Sequence, residues 1–204
     1  MGKMVYSMSF TTGTLLYRES MTVAHLYQAL GDWDAVREQV IAENRLQMRT
    51  LNSSKRIVRE INSRLKLLTP LELAILHDDL HQEQLYVLWL DVCKRYQFIY
   101  DFAVEVIREK FLRFDFALTP VEFDAFLNAK AEWCPEVERV APATRNKLRQ
   151  FVFKMLREAD LVGRDQRILP ALLTPHLIAA IRQDSPAHFA IFPVSDRDMQ
   201  GWAA

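Results

Sequence analysis

The chain has 204 residues, half of them hydrophobic, so it can pack one large domain or two small ones, and with 26 Lys and Arg against 26 Asp and Glu any basic cluster is a local bias. Five glycines are too few for many tight β-turns and favour a mainly α protein. Two cysteines, no apolar run near the roughly 20 residues of a membrane span, and an opening MGKMVYSMSF without an apolar leader core exclude a disulfide scaffold and predict a soluble cytoplasmic protein with no membrane contact.

Residues 14–30 read as a first helix, with apolar positions at Leu15, Leu16, Ala24, Leu26, Tyr27 and Leu30. Gly31 stops it, and Asp32 or Asp34 caps a second helix running to about Met48, with Val36, Val40 and Ile41 inward. A break at Thr50–Ser53 precedes a third helix, with Ser53 and Ser54 as its candidate N-caps. Thr69-Pro70-Leu71-Glu72 is a capping box with proline at the first helical position, opening a helix to about Gln82. Glu83 to Phe98 and Phe98 to Phe114 read as one or two long apolar helices. Thr119-Pro120-Val121-Glu122 repeats the capping box and opens a helix to about Glu132. Ala141-Pro142 is the best candidate linker. Thr144 is expected to cap a helix from Arg145 to Ala159 that buries Leu148, Phe151, Val152, Met155 and Leu156. Gly163 to Gln166 then reads as the turn of a short hairpin, and a helix followed by a basic hairpin is the layout of a winged helix-turn-helix. The plainer alternative is an ordinary loop.

Charge divides the chain. Residues 1–66 carry 10 basic and 6 acidic groups, residues 67–142 carry 7 and 14, and residues 143–204 carry 9 and 6. The expected organisation is an N-terminal basic helix-turn-helix-like lobe over 1–66, an acidic helical middle over 67–142, and a C-terminal helical lobe over 143–204.

The strongest signal is the run from Arg45 to Lys66, with seven basic residues and one acid, Glu60. On a helix of about 3.6 residues per turn, Ile57, Val58, Ile61 and Leu65 share a narrow arc. Lys55, Arg56, Arg59, Ser63 and Lys66 take the opposite arc, with Asn62 at its edge. Such a face offers cations to phosphates and polar groups to base edges. The bland alternative is a solvated amphipathic helix that happens to be basic. The expected DNA contacts are Arg45, Arg49, Lys55, Arg56, Arg59, Asn62, Ser63, Arg64 and Lys66. Lys147, Lys154, Arg157, Arg164 and Arg167 form a candidate second basic surface.

Other motifs favour structure over chemistry. His77 and His81 are four apart, so on one helix both rings would face one way. The zinc-hydrolase motif needs glutamate after the first histidine, and Asp78 stands there. No later cluster clearly completes a site, although Glu83 is near, and no metal or other cofactor is expected. Cys93, among Trp89, Leu90 and Tyr96, reads as a buried structural thiol, and Cys134 has no evident catalytic partner. Tyr86, Trp89, Tyr96, Phe98 and Tyr100 read as core rather than a base-stacking series. No GxxxxGK[ST], GxGxxG or GxSxG occurs.

Several phrases, in order, resemble one family: Tyr6-Ser7-Met8-Ser9-Phe10-Thr11-Thr12-Gly13-Thr14-Leu15-Leu16, then Glu19 and Gly31-Asp32-Trp33; Leu88-Trp89; Cys93-Lys94-Arg95-Tyr96; Val106-Ile107-Arg108-Glu109-Lys110-Phe111; and Lys147-Leu148-Arg149-Gln150 running into Met155-Leu156-Arg157-Glu158-Ala159. Over about residues 6–165 the chain resembles the BrxA proteins of the BREX bacteriophage-exclusion systems. The resemblance implies an all-helical, non-enzymatic, double-stranded-DNA-binding protein that works beside other BREX defence proteins, including a methyltransferase and an ATPase. A further likeness of that family to NusB-type factors would point to RNA. A protein-interaction adaptor is the other alternative.

Overall fold

The computed structural model describes residues 6–203 except Thr11, Gly13 and Asp79. The reading of residues 1–5 as free of a leader, and Thr11 and Gly13 of the opening phrase, lie outside the described residues. Among the described residues twelve α-helices form, with one π-helical and one 3-10 segment, and no β-strand forms beyond isolated bridges. The expected mainly α fold is observed. None of these helices is long and apolar enough to cross a membrane.

The first three helices pack on one another: α1 (Tyr17–Leu30), α2 (Trp33–Ala42) and α3 (Leu51–Leu65). α1 starts later than predicted because Leu16 sits in left-handed backbone, φ 57°, just before it. Gly31 ends it with φ 67°, its N–H donating to Tyr27 O, and Asp32 caps α2 through the Ala35 N–H. α2 ends at Ala42, short of Met48, where Asn44 and Gln47 both take positive φ. α3 begins at Leu51, so the cap is Thr50, whose Oγ1 accepts from Ser53 N at 3.1 Å, rather than Ser53 or Ser54.

Both predicted capping boxes form, at α4 (Pro70–Ile75) and, further on, α8 (Pro120–Ala131). Between them run α5 (His81–Arg95), α6 (Gln97–Phe102), a π-helical segment (Ala103–Arg108) and α7 (Glu109–Leu112). Tyr96 is extended, φ −124° and ψ 91°, and separates α5 from α6. α5 is the central helix, buried at every position from Glu83 to Cys93, and it touches α3, α4, α6 and α10 (Pro142–Glu158). Tyr86, Trp89, Tyr96 and Phe98 are core, as predicted, and Tyr100 is half-buried. Burial pushes the Cys93 thiol well up, which fits an inert core thiol.

Ala141-Pro142 is not a linker: Pro142 is the first residue of α10, after α9 (Pro135–Glu138), and Ala141 rather than Thr144 is its N-cap residue. The turn at Gly163–Gln166 closes as a small hairpin, with Val162 bridged to Ile168. Its outer side is also occupied, because Ile168 N donates to Phe116 O and Leu118 N to Gln166 O. α11 (Pro175–Asp184), the 3-10 segment (Pro186–Ile191) and α12 (Asp196–Ala203) complete the chain. Buried side chains from Tyr6 to Val194 form one continuous cluster. The boundaries near residues 66 and 142 mark changes of charge, and packing crosses both: Arg64 pairs with Asp91, and Leu15 N donates to Glu158 Oε2 at 2.7 Å.

Candidate nucleic-acid interface

α3 presents two faces. Ile57, Val58, Ile61 and Leu65 are buried as predicted. Lys55, Arg56, Arg59 and Lys66 are exposed, and none forms an ion pair among the described residues. Arg49 is exposed next to the Thr50 cap.

Two predicted contacts do not belong to this face. Arg64 is 1% exposed; its Nε donates to Asp91 Oδ1 at 2.8 Å and its Nη2 to Leu15 O at 2.9 Å. Asn62 is buried, with Nδ2 donating to Trp33 O at 3.2 Å. The reason is geometric. Position 62 lies four after Val58 and position 64 three after Ile61, so both follow the buried row. Because α3 packs on α1 and α2 and also on α5, that row is wider than four aliphatic residues. Ser63 is intermediate; its Oγ donates to Glu60 O at 2.8 Å and accepts from Arg95 Nε at 3.4 Å.

Arg56 and Arg59 converge with Arg95, from the last turn of α5, on a cleft of about 520 Å³. Ser9, Thr12 and Ser63 contribute to its wall, and Glu60 is the acid in the lining. Glu60 Oε1 is engaged by the Tyr96 hydroxyl at 2.7 Å. Burial, and then this bond to Glu60, push the Tyr96 phenol up, so it stays a neutral donor. The Arg95 guanidinium sits 5.2 Å from the Tyr96 ring centre, a cation–π arrangement that fixes its position. A second cleft, of about 360 Å³, shares Arg59 and Ser63 with the first and adds Arg37 of α2, Lys66 and Asp34. Together they make a groove with five cations and two carboxylates, suited to polyanionic phosphate.

Arg45 lies elsewhere. It pairs with Glu43 at 2.5 Å and lines a different cleft, with Arg18 and Glu19. In the C-terminal set, Lys147, Lys154, Arg157, Arg164 and Arg167 are all exposed. Lys154, Arg157 and Arg164 share a cleft of about 430 Å³ with Glu158 and Asp160. Lys154 stands 3.8 Å from Glu158, and Arg167 packs over the Phe116 ring. Lys147 and Arg167 are outside that lining.

Arg37, Arg95 and Arg18 were absent from the predicted set. Arg95 carried a signal, standing in Cys93-Lys94-Arg95-Tyr96, but its approach to α3 depends on tertiary packing. His77 and His81 do not share a helix, because the chain turns between α4 and α5. His77 faces His25 at 5.0 Å between ring centres, and burial and then His25 push its pKa down. His81 packs edge-on against Tyr17.

Comparison with known proteins places the chain in a family. A crystal structure of an uncharacterized protein from Magnetospirillum magneticum superposes with a TM-score of 0.78 at 21% identity, covering 92% of this chain and 98% of that one, and so shares the fold. A "BREX protein BrxA" of Bacillus cereus (strain H3081.97) is 30% identical over 156 residues, 76% of this chain and 78% of that protein. Its namesake from Escherichia coli O9:H4 (strain HS) is 24% identical over 155 residues, 76% and 73% of the respective chains. The BrxA family model matches residues 4–185. The chain belongs to the BrxA family of BREX phage defence.

Proposed function

We propose that this protein is a non-enzymatic, double-stranded-DNA-binding component of a BREX system, working with other BREX proteins and holding the phosphate backbone in the groove between α2, α3 and α5. The observation that carries it is the convergence of Arg56, Arg59 and Arg95 on one cleft whose single acid among the described residues, Glu60, is engaged by Tyr96. Lys55, Lys66 and Arg37 extend the cationic surface. The connection from α2 to α3 covers residues 43–50, longer than the turn of about 3–4 residues in a helix-turn-helix. With Asn62 withdrawn into the core, few neutral groups remain on α3 to read bases. The mode that fits is phosphate binding with weak sequence preference and strong salt dependence.

Mobility shift of duplex DNA across a salt series tests this, with wild type and the Arg56→Ala/Arg59→Ala variant. The expected outcome is weaker binding in a folded variant, with a log–log slope shallower by about 1.8, from about 0.9 per phosphate contact. Unchanged affinity and slope would remove this groove. Structured RNA as competitor separates the RNA reading, which predicts that RNA displaces duplex.

The acidic middle supports a second role as adaptor. Phe114, Val121 and Trp133 are 82%, 70% and 77% exposed there. Apolar side chains this open suit a protein partner. Copurification of a BREX protein that survives nuclease treatment and is lost on Trp133→Ala tests it.

A further inference from the structure

We propose that Asp78, Glu83 and His176 form a divalent-cation site, suited to zinc, that fastens the start of α11 to the turn between α4 and α5. One donor atom from each residue lies within 4.8 Å of the other two. His176 Nδ1 is 3.3 Å from Asp78 Oδ2 and 3.8 Å from Glu83 Oε2. Zinc held at about 2.1 Å by tetrahedral ligands separates its donors by roughly 3.4 Å, so these atoms need only small shifts to share one ion.

Glu83 provides the independent evidence. Its side chain is 3% exposed, and among the described residues Oε2 has no hydrogen-bond partner. Oε1 is occupied by the hydroxyl of Thr174, the N-cap residue of α11, so Thr174 orients the carboxylate and leaves Oε2 directed at His176. A buried carboxylate oxygen without a partner is costly, and a cation resolves that cost. The backbone of Asp78 is held as well, its carbonyl accepting from Gln84 Nε2 at 2.5 Å. Asp78 and His176 are 43% and 52% exposed, which leaves an entry path.

The donor set selects the ion. One imidazole nitrogen and two carboxylate oxygens neutralise a doubly charged cation, and imidazole favours zinc over magnesium or calcium. Three protein ligands leave one position for solvent. Neither histidine of the sequence-predicted pair, His77 or His81, takes part. The proposal is independent of DNA binding.

The test uses the full chain, stripped with EDTA and titrated with Zn²⁺ against a chromogenic chelator, in parallel with thermal unfolding. One ion per chain is expected, with a Tm increase of roughly 5–10 °C at a hundredfold excess over Kd. His176→Ala is at an exposed position and should fold. It should lose at least about tenfold in affinity, as should Glu83→Gln, while His77→Ala leaves binding unchanged. Absence of saturable binding at one equivalent would overturn the site. Binding that His176→Ala leaves intact, or that His77→Ala abolishes, would do so too, and preference for Mg²⁺ over Zn²⁺ would overturn the assignment to zinc.

Discussion

Arg64 and Arg56 stand eight residues apart on one helix and meet opposite environments. The Arg64 guanidinium is enclosed by Asp91 and the carbonyl of Leu15, while Arg56 opens to solvent. Burial pushes the Asp91 carboxyl up from its ordinary range, and Arg64, with a smaller pull from Lys94, opposes that shift. Arg64→Ala would leave a buried acid without its cation and should destabilise the fold by about 3–5 kcal/mol in urea unfolding. Arg56→Ala and Arg59→Ala should each stay within about 0.5 kcal/mol of wild type. A DNA-binding loss in those two variants would therefore report the surface rather than unfolding. A second, partly buried network reads out with pH. Lys94 bridges Glu72 at 2.6 Å and Asp184 at 2.8 Å, and His188 Nε2 lies 3.1 Å from Asp184. Burial first, then the Lys94 charge, push His188 below its ordinary value, against the pull of Asp184 and Glu72. The folded state thus binds this proton less readily than the unfolded state. The stability linked to neutral His188 is present above about pH 6.5 and is lost as pH falls through the lower folded value. Urea midpoints between pH 7 and 5 should decline less steeply in His188→Gln than in wild type; equal slopes would refute this assignment.

At the level of elements, what was legible in the sequence is local chemistry. Thr69 and Thr119 cap as predicted because each box satisfies its own backbone donors within four residues. Gly31 stops α1 because its φ of 67° suits a residue without Cβ. A Cβ there meets nothing within 4 Å, so Gly31→Ala isolates the backbone cost: about 1 kcal/mol, with Asn recovering part of it, by thermal or urea unfolding. The features that were not legible depend on contacts distant in sequence. Periodicity ran one helix through Phe98–Phe114, but a π-helical turn at Ala103–Arg108 re-aims the faces and brings Arg108, itself buried, to Asp196 of α12. Pro142 read as a linker and is a first-turn proline, two roles that the same local sequence permits. The candidate groove was half legible: the arc of Lys55, Arg56, Arg59 and Lys66 follows from 3.6-residue spacing. Arg95 and Arg37 come from neighbouring helices, and the burial of Asn62 and Arg64 depends on α1, α2 and α5 all packing on α3.

Across the whole molecule, the basic residues that line these clefts form two systems. One is the groove of Arg56, Arg59, Arg95, Arg37 and Lys66. The other is a series of clefts joined end to end: Arg18 is shared between the cleft of Arg45 and one that reaches Glu158, and Glu158 is shared with the cleft of Lys154, Arg157 and Arg164. Leu15 ties the second system to the core of α3, its N–H on Glu158 and its carbonyl on the buried Arg64. The second system is the weaker attractor for phosphate, since Glu19, Glu158 and Asp160 line it and both Arg45 and Lys154 already face a carboxylate. Lys154→Ala/Arg157→Ala/Arg164→Ala should therefore flatten the salt slope of duplex binding by less than the roughly 1.8 expected for Arg56→Ala/Arg59→Ala, even though it removes three charges rather than two. The measurement is the log–log slope for both variants on one duplex. If the triple variant abolishes binding and the double variant spares it, the phosphate track runs from Arg45 to Arg164, and the α3 groove is left for an acidic protein partner.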